Sequence, residues 1–166
     1  MVTAGLPVRA TDASAEPAKA SHRAPWWLAA YGAGVGVLLF VVVRHAMPDD
    51  ALISLSFARN LAEHGCWCLT TGIESNTATS PLNVGLLAVL VVVTGHAFVA
   101  AGVLLAACLA ASAAWLDALG GRWAALLGVA LLASSPVLTS SVGLETYLAA
   151  AILIGLVRYG AAFSRT

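Results

Sequence analysis

Apolar and polar residues fall along this chain in long blocks. The run from Trp26 to Val43 carries no charged residue. As a helix it rises about 27 Å, close to the hydrocarbon thickness of a bilayer. Trp26, Trp27 and Tyr31 mark one interface of this span and Arg44-His45 the other. Gly32 and Gly36 form a Gly-x-x-x-Gly pair, at which a second helix packs closely; glycine is also ordinary in membrane helices. From Arg44 to Ser80 the pattern changes. Asp50, Ile53, Phe57 and Leu61 share one helical stripe, and Ser56, Arg59, Asn60 and Glu63 the opposite one. That predicts an amphipathic helix lying in the interface, stopped by Gly65. Residues 66–80 read as an irregular polar loop, and Pro81 opens the next helix at its preferred first position.

Pro81 to Leu116 again has no formal charge. One straight helix over this run would rise about 54 Å, too long for a single span. It must break, and Thr94-Gly95-His96 is the expected place. Asp117 to Arg122 reads as a short polar turn, Trp123 to Leu138 as the next span, and Thr139 to Glu145 as a polar interval. Tyr147 to Val157 follows as about 17 Å of helix closed by Arg158. The expected fold is an all-α polytopic membrane protein. It has four to five transmembrane or re-entrant helices, with the amphipathic helix in a first external loop, residues 44–80. Residues 1–25 hold Arg9, Lys19 and Arg23 without apolar periodicity, and read as a disordered cytoplasmic tail. Residues 26–166 form the transmembrane domain. The first apolar run is too long for a signal peptide, which leaves a multi-pass protein of the plasma membrane with its amino terminus inside. Five simple crossings would put Asp117–Arg122 outside and Glu145 inside. The preferred arrangement keeps Arg122 and Arg158 inside and puts Glu145 outside with Asp49-Asp50. It requires Pro81–Leu116 to make one net crossing, such as a re-entrant piece plus a span.

Composition agrees with the bilayer as solvent. The 166 residues are 60% hydrophobic and 10% charged, where a soluble domain carries about 25% charge. Mean hydropathy is +0.91. Eight basic and eight acidic residues balance, so no basic footprint for nucleic acid exists. Cys66 and Cys68 stand too close for an easy bridge and Cys108 lies in an apolar run; all three read as bystanders. A metal site at the Cys66–Cys68 pair would find only His64 nearby, short of the four ligands a closed site wants.

The chemistry-bearing stretch is Met47-Pro48-Asp49-Asp50. A carboxylate at the outer membrane face can act as general base, taking the proton of an acceptor hydroxyl as that oxygen attacks a sugar carbon. A phosphate leaving group needs no protonation, so one base suffices for an inverting displacement. Arg59, or Arg44 and His45, could neutralise the leaving lipid phosphate. Asn76 stands in a polar loop able to hydrogen-bond a hydroxyl-rich ligand. Asp49 and Asp50 could also share a divalent cation with Glu145. The plain alternative is that Asp49 or Asp50 caps the helix after Pro48, and capping does not exclude catalysis. For Glu145 taken by itself, an interfacial acid without a role is the simpler reading.

Three patches carry a resemblance. They are Asp49-Asp50-Ala-x-Ile-x-x-x-Phe57-Ala58-Arg59-Asn60-Leu61, Thr79-Ser80-Pro81-Leu82 and Gly143-Leu144-Glu145-Thr146. In this order they resemble the amino-terminal part of GT-C membrane glycosyltransferases, nearest to actinobacterial arabinofuranosyltransferases such as the terminal β-arabinofuranosyltransferase. The resemblance implies a polyprenyl-phosphate sugar donor, arabinofuranose as the sugar, and a cell-envelope glycan as acceptor. It implies one of Asp49 or Asp50 as base and Glu145 as a second acid on the same side. Two departures stand out: Asn83 where the family often has an aromatic, and the Cys66-Trp67-Cys68 segment. Family members run several hundred residues, so the chain reads as an incomplete enzyme. The competing readings are a non-catalytic membrane protein that binds lipid-linked sugar or a partner helix, and a small transporter. A transporter would carry an ionisable site at mid-membrane.

Overall fold

The computed structural model describes residues 25–70, 73–74 and 78–164, with backbone alone for 73–74. The expected tail, save Pro25, and Asn76 lie outside these residues. The described chain is helical apart from one small hairpin. α1 spans Trp26–Val43, α2 Asp49–His64, α3 Pro81–Thr94, α4 Ala97–Ser134, α5 Pro136–Thr139 and α6 Thr146–Phe163. Strands β1, Cys68–Thr70, and β2, Ile73–Glu74, pair antiparallel between α2 and α3. Three helices, α1, α4 and α6, are long and apolar enough to cross a membrane; α3 is apolar but shorter, with 14 residues. The chain is built as a membrane protein.

Glycines set the helix ends and the closest contacts. Gly65 (φ 66°) and Gly95 (φ 75°) take left-handed backbone and end α2 and α3 where the sequence placed these stops. α3 begins on Pro81, as expected. The Gly-x-x-x-Gly pair is a true seam. A Cβ on Gly36 would lie 2.7 Å from the Ala106 Cα, and one on Gly32 would meet the Leu109 carbonyl. Phe40 covers Gly102 in the same way, one turn further along. Residue numbers rise along α1 as they fall along α4, so the two helices are antiparallel.

The expected turn at Asp117–Arg122 is narrower than its polar residues suggest. Helix continues through Gly120 and breaks at Gly121, whose backbone (φ 78°, ψ −179°) is non-helical. Asp117 is buried within the helix instead of lying in a turn. Beyond Gly121 the chain folds back. A Cβ on Gly128 would touch the Leu116 side chain, and these positions would be about 18 Å apart in one straight helix. α4 is therefore two arms, residues 97–120 and 122–134. The second arm stops at Ser134, short of the expected Leu138, because Pro136 opens the separate short α5. α6 is longer than expected: Arg158 does not close it, and its guanidinium lies 4.9 Å from the Tyr159 ring centroid. α6 runs beside the first arm of α4, with Tyr147 and Ala151 packed on Leu105, Cys108 and Leu109, and Gly155 against Trp115.

Two apolar clusters organise this bundle. Leu55, Phe57 and Ala58 of α2 pack with Val84, Leu87, Ala88 and Val91 of α3 and Ala100 and Ala101 of α4. Leu105, Cys108 and Leu109 of α4 pack with Val142, Tyr147 and Ala151. The buried face of α2 is thus rotated from the expected stripe: Leu55 and Ala58 are inside, while Ile53 and Leu61 are half-buried. Cys66 and Cys68 are joined in a disulfide, against the expectation of unpaired cysteines. The hairpin folds back on α2, where Asn60 Nδ2 donates to the Cys68 and Leu69 carbonyls, each at 2.9 Å, and the Trp67 ring meets Phe57 at a tilt of 49°. The two Cα atoms, two residues apart in sequence, lie at 5.3 Å, within disulfide reach.

Candidate functional site at the acidic end of the bundle

Pro48 holds extended backbone (φ −67°, ψ 154°) and opens α2, so Asp49 and Asp50 fall in its first turn. Free backbone N–H groups and the positive end of the helix dipole sit there, which favours carboxylates. The expected cap is absent: the N-cap position is Pro48, and neither carboxylate makes a cap bond. Ser54 Oγ donates to the Asp50 backbone carbonyl at 3.1 Å, and both Asp side chains are exposed. They stand where a substrate hydroxyl could reach them.

The segment bearing Glu145 comes to the same place. Gly143 adopts φ 94°, and a Cβ there would collide with Met47 Cε and lie 2.8 Å from the Ala51 Cβ. Only glycine permits this approach. Asn83 Nδ2 donates to the Gly143 carbonyl at 3.4 Å. Glu145 lies two residues on, at the start of α6; it is half-buried, and its Oε2 has no hydrogen-bond partner among the described residues. The contact of Gly143 with Ala51 thus brings the two acidic patches together. It does not bring them into a metal site: among the described residues, no group of three or more His, Cys, Asp or Glu could hold a metal ion. A cation shared by Asp49, Asp50 and Glu145 does not fit this geometry.

The basic residues line grooves that Asp49, Asp50 and Glu145 do not line. Arg44 Nε donates to His45 Nε2 at 3.1 Å, and both line an open groove of about 360 Å³ with Phe40, Phe98 and Val99. Arg59 lines a second groove of about 430 Å³, with Leu52, Ser56, Glu63, His96 and Phe98. The grooves share Phe98. Arg59 is already engaged: its Nε contacts Glu63 Oε1 at 3.0 Å and Oε2 at 3.1 Å. It also lies nine residues beyond Asp50 on the opposite helical face, about 13 Å along the axis. Arg59 and Asp50 therefore do not meet in one pocket. Leu52, one turn after Asp49, connects the acidic helix start to the second groove.

Sequence reasoning missed Asn83, His96 and Gly143 as parts of this end. Asn83 had a signal: it is the one amide in a charge-free apolar run, three positions into a helix. His96 was read as interfacial, and it faces Arg59 across a groove. Comparison with protein-family models, with curated proteins and with solved structures finds no match.

Proposed function

We propose that this chain is a membrane glycosyltransferase of the GT-C kind, or the amino-terminal part of one. It transfers a sugar from a polyprenyl-phosphate donor to a cell-envelope glycan. The observation that carries the reading is the contact of Gly143 on Met47 and Ala51. It gathers Asp49-Asp50 and the Glu145 segment at one end of an apolar bundle, beside grooves with cationic lips. In this reading Asp49 or Asp50 takes the proton of the acceptor hydroxyl. That oxygen attacks the anomeric carbon, the carbon–oxygen bond to phosphate breaks, and the lipid phosphate leaves with its electron pair. Inversion follows from the single displacement. Arg44 and His45, unengaged by any carboxylate among the described residues, are the groups placed to meet the leaving phosphate; Arg59 would first have to release Glu63. Arabinofuranose as the sugar rests on the resemblance alone.

The same reading fixes a membrane arrangement. α1, the first arm of α4 and α6 cross, the second arm of α4 with α5 leads back toward the outer face, and α3, one unbroken helix antiparallel to the first arm of α4, ends on the face where that arm begins. Trp26, Gly121 and Arg158 then share the cytoplasmic face of the plasma membrane with the amino terminus. A second reading draws on the closed Arg59–Glu63 pair: the chain holds a lipid-linked sugar without transferring it. One experiment separates the two. The purified chain in lipid nanodiscs is given a polyprenyl-phosphate pentose and a short glycan acceptor, with Asp49→Asn and Asp50→Asn in parallel. The transferase reading expects transfer that one substitution abolishes without loss of helicity. Transfer that survives the double substitution would remove the base role. Donor binding without transfer by a folded chain would select the second reading.

A further inference from the structure

Between α3, α4, the Gly143 turn and α6 lies a small cavity of about 20 Å³. Its walls are mostly apolar, Leu87, Leu105 and Leu148 among them, but Asn83, Cys108 and Gly143 also face it. Asn83 is 1% exposed, and its Oδ1 has no hydrogen-bond partner among the described residues. Its Nδ2 reaches the Gly143 carbonyl only at 3.4 Å, a long bond. An amide carbonyl left dry in such surroundings is costly, and buried acceptors are nearly always satisfied by protein or ordered water. A cavity needs about 10–15 Å³ to hold one water, and that water needs two to four polar partners.

We propose that this cavity is a hydration site holding one internal water, and that this water completes the attachment of the Gly143–Glu145 segment to α3. The water donates one hydrogen to Asn83 Oδ1. Its second hydrogen can go to the Gly143 carbonyl, which has a lone pair beyond the one Asn83 Nδ2 uses, and the Cys108 thiol is a weak donor to its oxygen. The void volume, the buried unpaired acceptor and the long direct bond point to the same ligand. The site does not depend on the transferase reading: it stands or falls whether or not the chain moves a sugar.

The decisive test is an experimental structure of the intact chain in lipid at about 2 Å resolution. Ordered density within hydrogen-bond distance of Asn83 Oδ1 is expected; an empty cavity overturns the proposal.

Discussion

One methyl group at Gly36 should loosen the seam between α1 and α4, while the same methyl at Gly34 should do no harm. At Gly36 the new Cβ would lie 2.7 Å from the Ala106 Cα, 3.1 Å from the Ala106 nitrogen and 3.3 Å from the Leu105 carbonyl carbon. All three are backbone atoms, so no side chain can swing aside. Ordinary contact begins at 3.4 Å, so the helices must part by about 0.7 Å locally. A gap of that size forfeits roughly a quarter to a half of each displaced dispersion contact. Overpacking of this kind costs about 1–3 kcal/mol, and the gain in helix propensity from Gly to Ala returns only about 0.5–1 kcal/mol. At Gly34 nothing lies within 4 Å of the added carbon, so only that gain remains. The two variants should differ by about 1–3 kcal/mol, at roughly 2–4 °C per kcal/mol for a chain of this size. Thermal unfolding of both in the same detergent, followed by far-ultraviolet circular dichroism, measures the difference. A Gly36→Ala protein that melts at or above Gly34→Ala would refute the close-packed seam.

Asp49→Asn and Asp50→Asn should each lower stability by only about 0.3–1 kcal/mol, since they interact with the helix start without a cap bond; a loss above 2 kcal/mol in a denaturant titration would mean an unseen partner. Gly143→Ala should destabilise by about 1–3 kcal/mol through its positive φ and its clash with Met47 and Ala51. In a transfer assay that variant should also lose activity while retaining its helicity, and full activity would separate Glu145 from the reaction. Reducing the Cys66–Cys68 disulfide should cost about 1.6 kcal/mol on the chain-entropy scale, because so short a loop restricts the unfolded chain little. A melt with and without reductant, beside an intact-mass difference of about 2 Da for the two thiol hydrogens, tests this, and wholesale unfolding on reduction would contradict it. Phe57→Ala, at a fully buried ring that also meets Trp67 at 5.7 Å, should cost about 3–5 kcal/mol and free the hairpin from α2; unchanged protease resistance of the hairpin would count against that linkage.

The helical class and most helix ends were legible because they rest on local rules. A charge-free run too long for one span had to break, and Gly95 is the residue that takes left-handed backbone there. Gly65 and Pro81 worked in the same way. The errors came where tertiary packing overrode local polarity. Asp117, Gly120 and Arg122 look like a turn, yet α4 stays helical through Gly120, with Asp117 buried, and breaks only at Gly121. The burial of α2 was misjudged for the same reason: α3 and α4 select Leu55 and Ala58, and periodicity within α2 alone cannot name its neighbours. The seat of the hairpin on α2 rests on Asn60, eight residues before Cys68, a link that local pattern does not reveal.

The acidic end shows why candidate chemistry was easier to find than to assemble. Asp49, Asp50 and Glu145 are conspicuous in an apolar chain, and a reader of the sequence selects them at once. What brings them together is carried by residues with no chemistry to offer: a glycine at φ 94°, an alanine small enough to receive it, and a methionine beside them. These interact across more than ninety positions, and no local pattern encodes that distance. The same holds in reverse for Arg59. Its sequence neighbourhood suggests a partner for the acids, but a helix turns by 100° per residue, and nine residues place it on the far side from Asp50, where Glu63 one turn on takes both of its short contacts. A functional reading of this end therefore rests first on Gly143 and Ala51, and only then on the carboxylates they position.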